Sequence, residues 1–439
     1  MKYSIIPAFI TLLMISVACQ TEKTEQQPNV ILIMADDMGY ECISSYEGAS
    51  YSTPVLDSLA ANGIRFDQCV SQPLCTPSRV KIMTGLYNYR NYEYFGYLNP
   101  NQYTFGNLMQ DAGYETLIAG KWQLNGLAYK DSLPEWSDSL SPGGFGFDEY
   151  CLWQLTRARK EGERFADPLI QQNGVTLERD ADIYGPDVFC DYILDFISRN
   201  KDKPFFVYYP MVLVHDPFVP TPDSEEWEDP GNRYKKDTAF FKDMVAYTDK
   251  IVGRIVGKLK ELKIDKNTIV IFTGDNGTHP SIYTPIPNGS IRGGKGNTID
   301  AGTHVPLIIS WPAKIRKGFV YDQLISFSDF FPTLADIVDR EAETDGQSFY
   351  SLLKGEEYNS RETVFVHYDP RWSNNVNRFR NQFVRTADYK LYRDGNYYNI
   401  SRDILEKTPL NPDSLTPEEN TIQEELNTEM QNHPVLQED

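Results

Sequence analysis

Asn29-Val-Ile-Leu-Ile-Met-Ala35, followed at once by Asp36-Asp37, is the stretch from which the fold is read. An apolar run without alternation suits a strand covered on both faces. Such a strand needs helices on either side of its sheet, and the flanking sequence supplies them. Thr53-Pro54 opens a helix carrying Val55, Leu56, Leu59 and Ala60, which Gly63 stops. Further strands are expected at 116–119, 205–214, 268–272 and 306–311, and helices at 188–197 and 330–338. The clearest helix is roughly 236–263, with Met244, Val245, Thr248, Ile251, Val252, Ile255, Leu259 and Leu262 on one stripe. Strands interleaved with helices predict an α/β fold with a central, largely parallel sheet. Ligands of such sheets sit beyond the carboxyl ends of the strands. After about residue 345 the texture changes. Short, turn-separated candidates at 363–368, 382–386, 389–393 and 397–400 predict a small antiparallel-sheet subdomain.

Composition bounds the rest. The 439 residues include 42 Lys and Arg against 62 Asp and Glu, a formal net charge of −20. With 41% hydrophobic and 13% aromatic residues, the chain is neither disordered nor fibrous. Its length suits one large or two unequal domains. The acidic balance excludes a nucleic-acid binder, which needs a cationic face, and at first sight disfavours a polyanionic substrate. Residues 402–439 carry ten acids against Arg402 and Lys407 and read as a solvated tail or surface helix.

The N-terminus reads as a sorting signal. Lys2 precedes an apolar run over 5–17 that is too short for a stable membrane span. It ends in Ser16-Val17-Ala18-Cys19, which resembles a bacterial lipoprotein signal, with Ser16 where a branched apolar residue is usual. The resemblance implies cleavage before Cys19, lipid on its thiol and export to the bacterial cell envelope, on the periplasmic or the outer-membrane face. The expected organisation is a signal peptide (1–18), a polar tether (19–28), a catalytic domain (29–345) and a small C-terminal α+β subdomain with the acidic tail (346–439). Export permits disulfides among Cys42, Cys69, Cys151 and Cys190; buried free thiols are an equal reading.

Three segments carry chemistry. Asp36-Asp37 stand at the end of the first strand, where paired carboxylates repel unless a cation joins them. Asp275-Asn276-Gly277 stand in the same setting after the strand at 268–272. Alone, each pair reads as a turn; together, at the ends of two buried strands, they form a hard-oxygen set suited to Ca²⁺ or Mg²⁺. Cys75-Thr-Pro-Ser-Arg79 opens a helix that Gly85 ends. Cys75 at a helix N-terminus, with Arg79 one turn on, could be a low-pKa thiolate or simply a half-buried cysteine.

Cys75-Thr76-Pro77-Ser78-Arg79 with Met83-Thr84-Gly85 resembles the signature of the type I sulfatases, of alkaline-phosphatase-like fold. The other expected segments follow in order: Gly120-Lys121-Trp122, His215-Asp216-Pro217, Gly294-Lys295-Gly296, Val305-Pro306 and Trp311-Pro312. Val384-Arg385-Thr386 and Tyr389-Lys390-Leu391 are similar to that family's last domain. The resemblance implies hydrolysis of sulfate monoesters, with Cys75 oxidised to Cα-formylglycine by a dedicated maturation enzyme. It implies one Ca²⁺, in preference to Mg²⁺, held by Asp36, Asp37, Asp275, Asn276 and the modified Cys75. By position, Asp275 acts as base towards the hydrated aldehyde, His215 protonates the leaving ester oxygen, and Arg79 orients the nucleophile. Lys121 and Lys295 bind sulfate oxygens. Gln123 stands where many members have a titratable His, and Asp300 where Glu is frequent. Gln123 is therefore expected to touch substrate without acid–base work.

Sulfated saccharides are the expected substrate class, and contact with a membrane is expected only through lipid on Cys19. Candidate sugar readers are His304, the aromatic-rich stretch 87–97, and Arg371, Arg378, Arg380 and Arg385 beside Trp372; packing is the competing reading for both stretches. Arg157, Arg159, Lys160 and Arg164 read as a basic surface loop. Two other functions compete with this one. A phosphatase or phosphodiesterase of the same superfold needs a Ser or Thr nucleophile and more His than the five present. A non-catalytic glycan-binding lipoprotein requires Cys75 to stay unmodified.

Overall fold

The computed structural model describes residues 27–46, 48–127, 141–153, 155, 164–286 and 289–436. The expected signal peptide, Cys19 and most of the tether lie outside them, as do Arg157, Arg159 and Lys160. Among the described residues no helix is long and apolar enough to cross a membrane.

Sixteen strands are numbered in chain order among the described residues. Ten form one sheet: β1 (Asn29–Ala35), β2 (Ile64–Val70), β3 (Glu115–Lys121), β4 (Glu149–Trp153), β5 (Ile170–Gln172), β6 (Val175–Thr176), β7 (Phe205–Pro210), β8 (Thr268–Gly274), β11 (His304–Ser310) and β12 (Phe319–Ser326). Their order is β12-β2-β11-β8-β1-β7-β3-β4-β5-β6. The hairpin β9 (Tyr283–Ile286) and β10 (Gly289–Arg292) stands apart. The middle of the sheet, β8-β1-β7-β3-β4, is parallel, as expected. The whole is mixed, because β11 runs antiparallel to both β2 and β8. The reason is connectivity. From the end of β8 the chain stays at the carboxyl end of the sheet through the hairpin and the short helix Asp300–Thr303, so the next strand must run back.

The unalternating apolar run of β1 has the expected cause. Ile31 and Ile33 pack into a core on one face, with the helices Pro54–Ala61, Gly185–Asn200 and Phe241–Glu261. Val30, Leu32 and Met34 pack on the other, with Phe105–Asp111 and Phe330–Ile337. Each fully buried side chain of this size contributes roughly 1.5–3 kcal/mol. The pairing register sets the function. Ala35 pairs with Gly274 and Met34 with Pro210, so the residues that follow β1, β8 and β7 emerge side by side.

Strand β7 ends four residues earlier than expected. Residues 211–214 are as apolar as a strand but serve as a buried loop, tied by Met211 N–H to Met34 O and Val214 N–H to Asp36 O. Cys42, Cys69, Cys75, Cys151 and Cys190 are all free and buried, which decides for thiols over disulfides.

Strands β13 (Val364–Tyr368), β14 (Asn381–Arg385), β15 (Tyr389–Tyr392) and β16 (Tyr397–Asn399) form the small antiparallel sheet. The acidic tail forms a surface helix, one of its two expected forms, and is only partly solvated. Helix Pro417–Gln431 buries Leu426 and Met430 against Phe365, Val384, Leu391 and Tyr397. Glu406 is buried on Lys390 (2.9 Å) and accepts from Asp300 N–H, which ties the tail to the main domain. Position in an acidic tail does not make an acid solvated when a buried lysine needs a partner.

Among the described residues there is also a buried cation without such a partner. Lys81 lies in the helix Cys75–Thr84, its ammonium 5.4 Å from the centre of the Tyr87 ring and without a hydrogen-bond partner. Burial first, and Arg361 second, push its pKa down to about 7. The folded pKa lies below the unfolded one, so between pH 7 and about 10.4 the unfolded chain binds the extra proton and stability rises with pH. Lys81→Met should therefore raise the melting temperature at pH 7 and flatten its rise towards pH 10. Thermal melts across that range check this; an unchanged slope would count against it.

Candidate active site

The site lies beyond the carboxyl ends of β1, β8, β7 and β3. Asp36 and Asp37 leave β1, with Asp37 in the left-handed region at φ 61°. Asp275 and Asn276 leave β8; Asp37 N–H donates to Asp275 Oδ1 (2.9 Å) and Asn276 Nδ2 to Asp37 Oδ1 (2.9 Å). Gly277 is required by close approach rather than by a tight turn: a Cβ there would lie 1.8 Å from Ala301 O. Gly120, at φ 113°, passes so near Pro210 that a Cβ would meet its carbonyl oxygen at 2.0 Å, and this brings Lys121 to the centre.

Cys75 is the first residue of its helix, and Leu74 before it is extended. Arg79, one turn later, is buried; its Nε donates to Cys75 O (3.1 Å) and its guanidinium also donates to Trp122 O. Asp36, Cys75 and Asp275 each bring a donor atom within 4.8 Å of the others. So do Asp36, Asp37 and His215. Lys121 Nζ binds Asp36 Oδ2 (2.8 Å), and Lys295 Nζ binds Asp37 Oδ2 (2.5 Å). Lys295 Nζ also lies 3.0 Å from His215 Nε2, while His215 Nδ1 faces Asp216 O (2.6 Å) and Asp216 Oδ1 (2.9 Å). Every member of the expected core set is thus in one cluster, with Lys121 and Lys295 bridging to its carboxylates.

The charges are unevenly compensated. Burial alone would push the Asp36 carboxyl up, but Lys121, His215, Lys295 and Arg164 together hold it below the usual range. Asp275 goes the other way: burial, then Asp36, Cys75 and Asp37, push it well above. Burial lowers the His215 imidazole, and Lys295 adds to this. With Nζ as the donor to Nε2, the neutral ring carries its proton on Nδ1, towards Asp216.

Gln123 is half-buried and left-handed (φ 46°), directly after the Trp122 carbonyl that Arg79 holds. The other expected sugar readers differ in how far they are engaged within the protein. His304 has both ring nitrogens engaged, Nδ1 with Asp300 (3.1 Å) and Nε2 with Asp67 O (2.8 Å), and its ring stacks on Tyr40. Arg385 is 1% exposed and bound to Asp300 and Gln68. Arg371 and Arg380 both pair with Asp369, an acid two residues before Arg371. Arg378 alone of these lines a cleft together with Lys295. In 87–97, Tyr87 and Tyr89 pack on Phe365, and Tyr92 donates to Pro370 O; Phe95 stacks on the half-exposed Trp372.

Arg164 is the residue that sequence reading misplaced. It is 2% exposed, lies 4.4 Å from the Trp153 ring centre, and its charge acts on Asp36, His215 and Asp216. No local pattern separates it from the neighbouring loop cations. Gln72, buried between β2 and Cys75, was also not singled out; neither atom of its amide group has a hydrogen-bond partner.

The comparisons with known proteins agree with this geometry. The sulfatase family model matches residues 28–339, and that of the N-sulphoglucosamine sulphohydrolase C-terminal region matches 295–434. The chain is 28% identical to the N-acetylgalactosamine-6-O-sulfatase of Bacteroides thetaiotaomicron, over 78% of this chain and 79% of that protein. It is also 28% identical to the N-acetylgalactosamine-6-sulfatase of the dog, Canis lupus familiaris, over 84% of this chain and 74% of that protein. A protein solved in complex with its substrate, D-glucosamine-2-N,6-O-disulfate, superposes with a TM-score of 0.71 at 22% identity, over 93% of this chain and 97% of that one. The likeness to it is one of fold. The family model spans well over half the chain and covers every segment of the cluster, from Asp36 to Lys295. The chain belongs to the sulfatase family, sulfuric ester hydrolases of alkaline-phosphatase-like fold.

Proposed function

We propose that the chain removes sulfate from sulfated carbohydrates at the Cys75 centre, with Cys75 oxidised to formylglycine and one Ca²⁺ held by Asp36, Asp37, Asp275 and Asn276. The observation that carries this reading is a pair of buried oxygens, Asp36 Oδ1 and Asn276 Oδ1, without hydrogen-bond partners in a ring of three carboxylates. Such atoms are costly unless a cation takes them. The donors are hard oxygens except the Cys75 sulfur, and an oxygen-bearing side chain at 75 makes the set uniform. When present, the hydrated formylglycine supplies the nucleophile, and calcium supplies charge that polarises sulfate oxygens.

The chain's own side chains do the rest. Arg79 locks the first turn of the helix through the Cys75 and Trp122 carbonyls, so residue 75 has one direction to face. Asp275, whose carboxyl is pushed up, can take and hold a proton at its side-chain oxygens. Burial would lower the Lys295 ammonium, but Asp37, Asp36 and Asp216 hold it protonated; its Nζ–H donates to His215 Nε2, so the pair, rather than His215 alone, delivers the proton to the leaving oxygen. Lys121 and Arg164 add positive charge around Asp36, where sulfate would bring more negative charge.

A carbohydrate substrate is supported by the relatives named for N-acetylgalactosamine 6-sulfate. The signal at 1–18 with Cys19 supports a lipid-anchored place in the bacterial envelope. Mass spectrometry of the Cys75 peptide from a host with the maturation enzyme should show –CH₂SH replaced by –CHO. Matured protein should then release sulfate from members of a position-defined sulfated saccharide panel. An unconverted Cys75 in such a host would refute the proposal.

A further inference from the structure

A cleft of about 540 Å³ adjoins the catalytic cluster, and Lys295 forms part of its wall. Three more cations line it from separate parts of the chain. Arg292 ends the β9–β10 hairpin, Arg378 follows the short helix Asn374–Asn377, and Lys407 belongs to the C-terminal extension. No acidic side chain lines this cleft among the described residues.

The absence of acids is informative in a chain with 62 acids and 42 bases. Neighbouring cations have carboxylate partners: Lys121 with Asp36, Arg371 and Arg380 with Asp369, Arg385 with Asp300, Lys390 with Glu406. Among the described residues Arg292, Arg378 and Lys407 have none. Arg292 donates its Nε–H to Pro280 O and lies 5.8 Å from the Tyr283 ring centre; Arg378 lies 4.6 Å from that of Phe379. These contacts fix the guanidinium groups and leave N–H donors for a ligand. Tyr283 is 60% exposed and presents a ring face on which a sugar can stack.

We propose that this cleft binds a second anionic group on the substrate, a sulfate or carboxylate other than the ester being cleaved. The inference rests on the sulfatase reading of the catalytic cluster and deepens it: the preferred substrate is a polyanionic oligosaccharide. Guanidinium groups match both anions through paired N–H donors. The cleft also answers the objection raised by the net charge, because surface acids beyond roughly 8 Å are screened at physiological salt while these cations touch the ligand.

The test uses matured, calcium-loaded enzyme and three oligosaccharides. One carries only the scissile sulfate, one a second sulfate, and one a uronate beside the sulfated sugar. Wild type should prefer one or both doubly charged substrates, and which of the two identifies the anion. In Arg292→Gln/Arg378→Gln/Lys407→Gln, that preference should fall about tenfold or more, mainly through KM, with single changes each giving a few-fold loss. Equal treatment of all three substrates by wild type, or an equal loss on all three in the triple variant, overturns the inference. An aryl monosulfate reports on the catalytic cluster separately. Turnover of it without any preference among the oligosaccharides overturns this proposal alone. No turnover of the aryl sulfate or of any of the oligosaccharides, with Cys75 shown to be converted, overturns the sulfatase reading and this proposal with it.

Discussion

Cys75→Ala should lower sulfate release by about ten-thousand-fold or more while the protein still folds. Cys75 is nearly buried at the first position of its helix, and its backbone carbonyl, not its side chain, is what Arg79 holds. Removing the sulfur therefore leaves the helix start, the Arg79 contacts and the carboxylate ring in place. Loss of a small buried group costs about 1 kcal/mol, a few degrees at most in a chain this long. Cys75→Ser should behave differently from both. A serine hydroxyl can accept the sulfuryl group at Oγ but has no second hydroxyl on the same carbon with which to expel sulfate. It should give at most one equivalent of released alcohol per enzyme and then stop. Steady-state sulfate release and a pre-steady-state burst assay, on samples matched by circular dichroism, separate the three proteins. A Cys75→Ala variant within tenfold of wild type would place the nucleophile elsewhere.

What the sequence disclosed depended on how local each signal was. The β1 run was legible because burial on both faces removes polar alternation, and the carboxylates after β1 and β8 were legible because strand ends mark the site in parallel sheets. The Cys75 helix was legible because Pro77 and Gly85 punctuate it. Signals that depend on distant partners were not. His304 looks the same in sequence whether it faces a sugar or Asp300, and Arg385 meets that same aspartate across 85 residues. Arg371 and Arg380 appeared unpaired because their partner Asp369 fell just outside the basic stretch. Residues 211–214 read as strand because a buried loop wrapped round the core needs the same apolar side chains. Glu406 was hidden by its acidic company, and Arg164 by its basic company. In each case the residue type was right and its partner was invisible.

Asp275→Asn should make the metal-free protein more stable and the enzyme nearly inactive. Three carboxylates converge in the site, and two are held: Asp36 by Lys121, Asp37 by Lys295. Asp275 accepts one hydrogen bond, from Asp37 N–H. Burial, Asp36, Cys75 and Asp37 all push its pKa up, so the folded value lies above the unfolded value of about 3.9. For a group raised in this direction, stability is fully present below the unfolded pKa and is lost as pH rises through the folded one. Wild type in chelator should therefore lose stability above about pH 4, a loss the amide does not share. Asn keeps an acceptor oxygen for Asp37 N–H while removing the charge. At neutral pH with a calcium chelator the variant should melt about 2–5 °C above wild type, and the gap should close as the pH approaches 4. Added calcium should reverse the order, because wild type binds the ion more tightly and gains more by mass action. Activity should fall about a thousand-fold, since on the proposed mechanism the same carboxylate is both a metal ligand and the proton acceptor. Differential scanning fluorimetry with and without calcium, across pH, reads all three effects. If Asp275→Asn melts below wild type in chelator, the carboxylate is held by something other than a cation, and the site is not built for a metal.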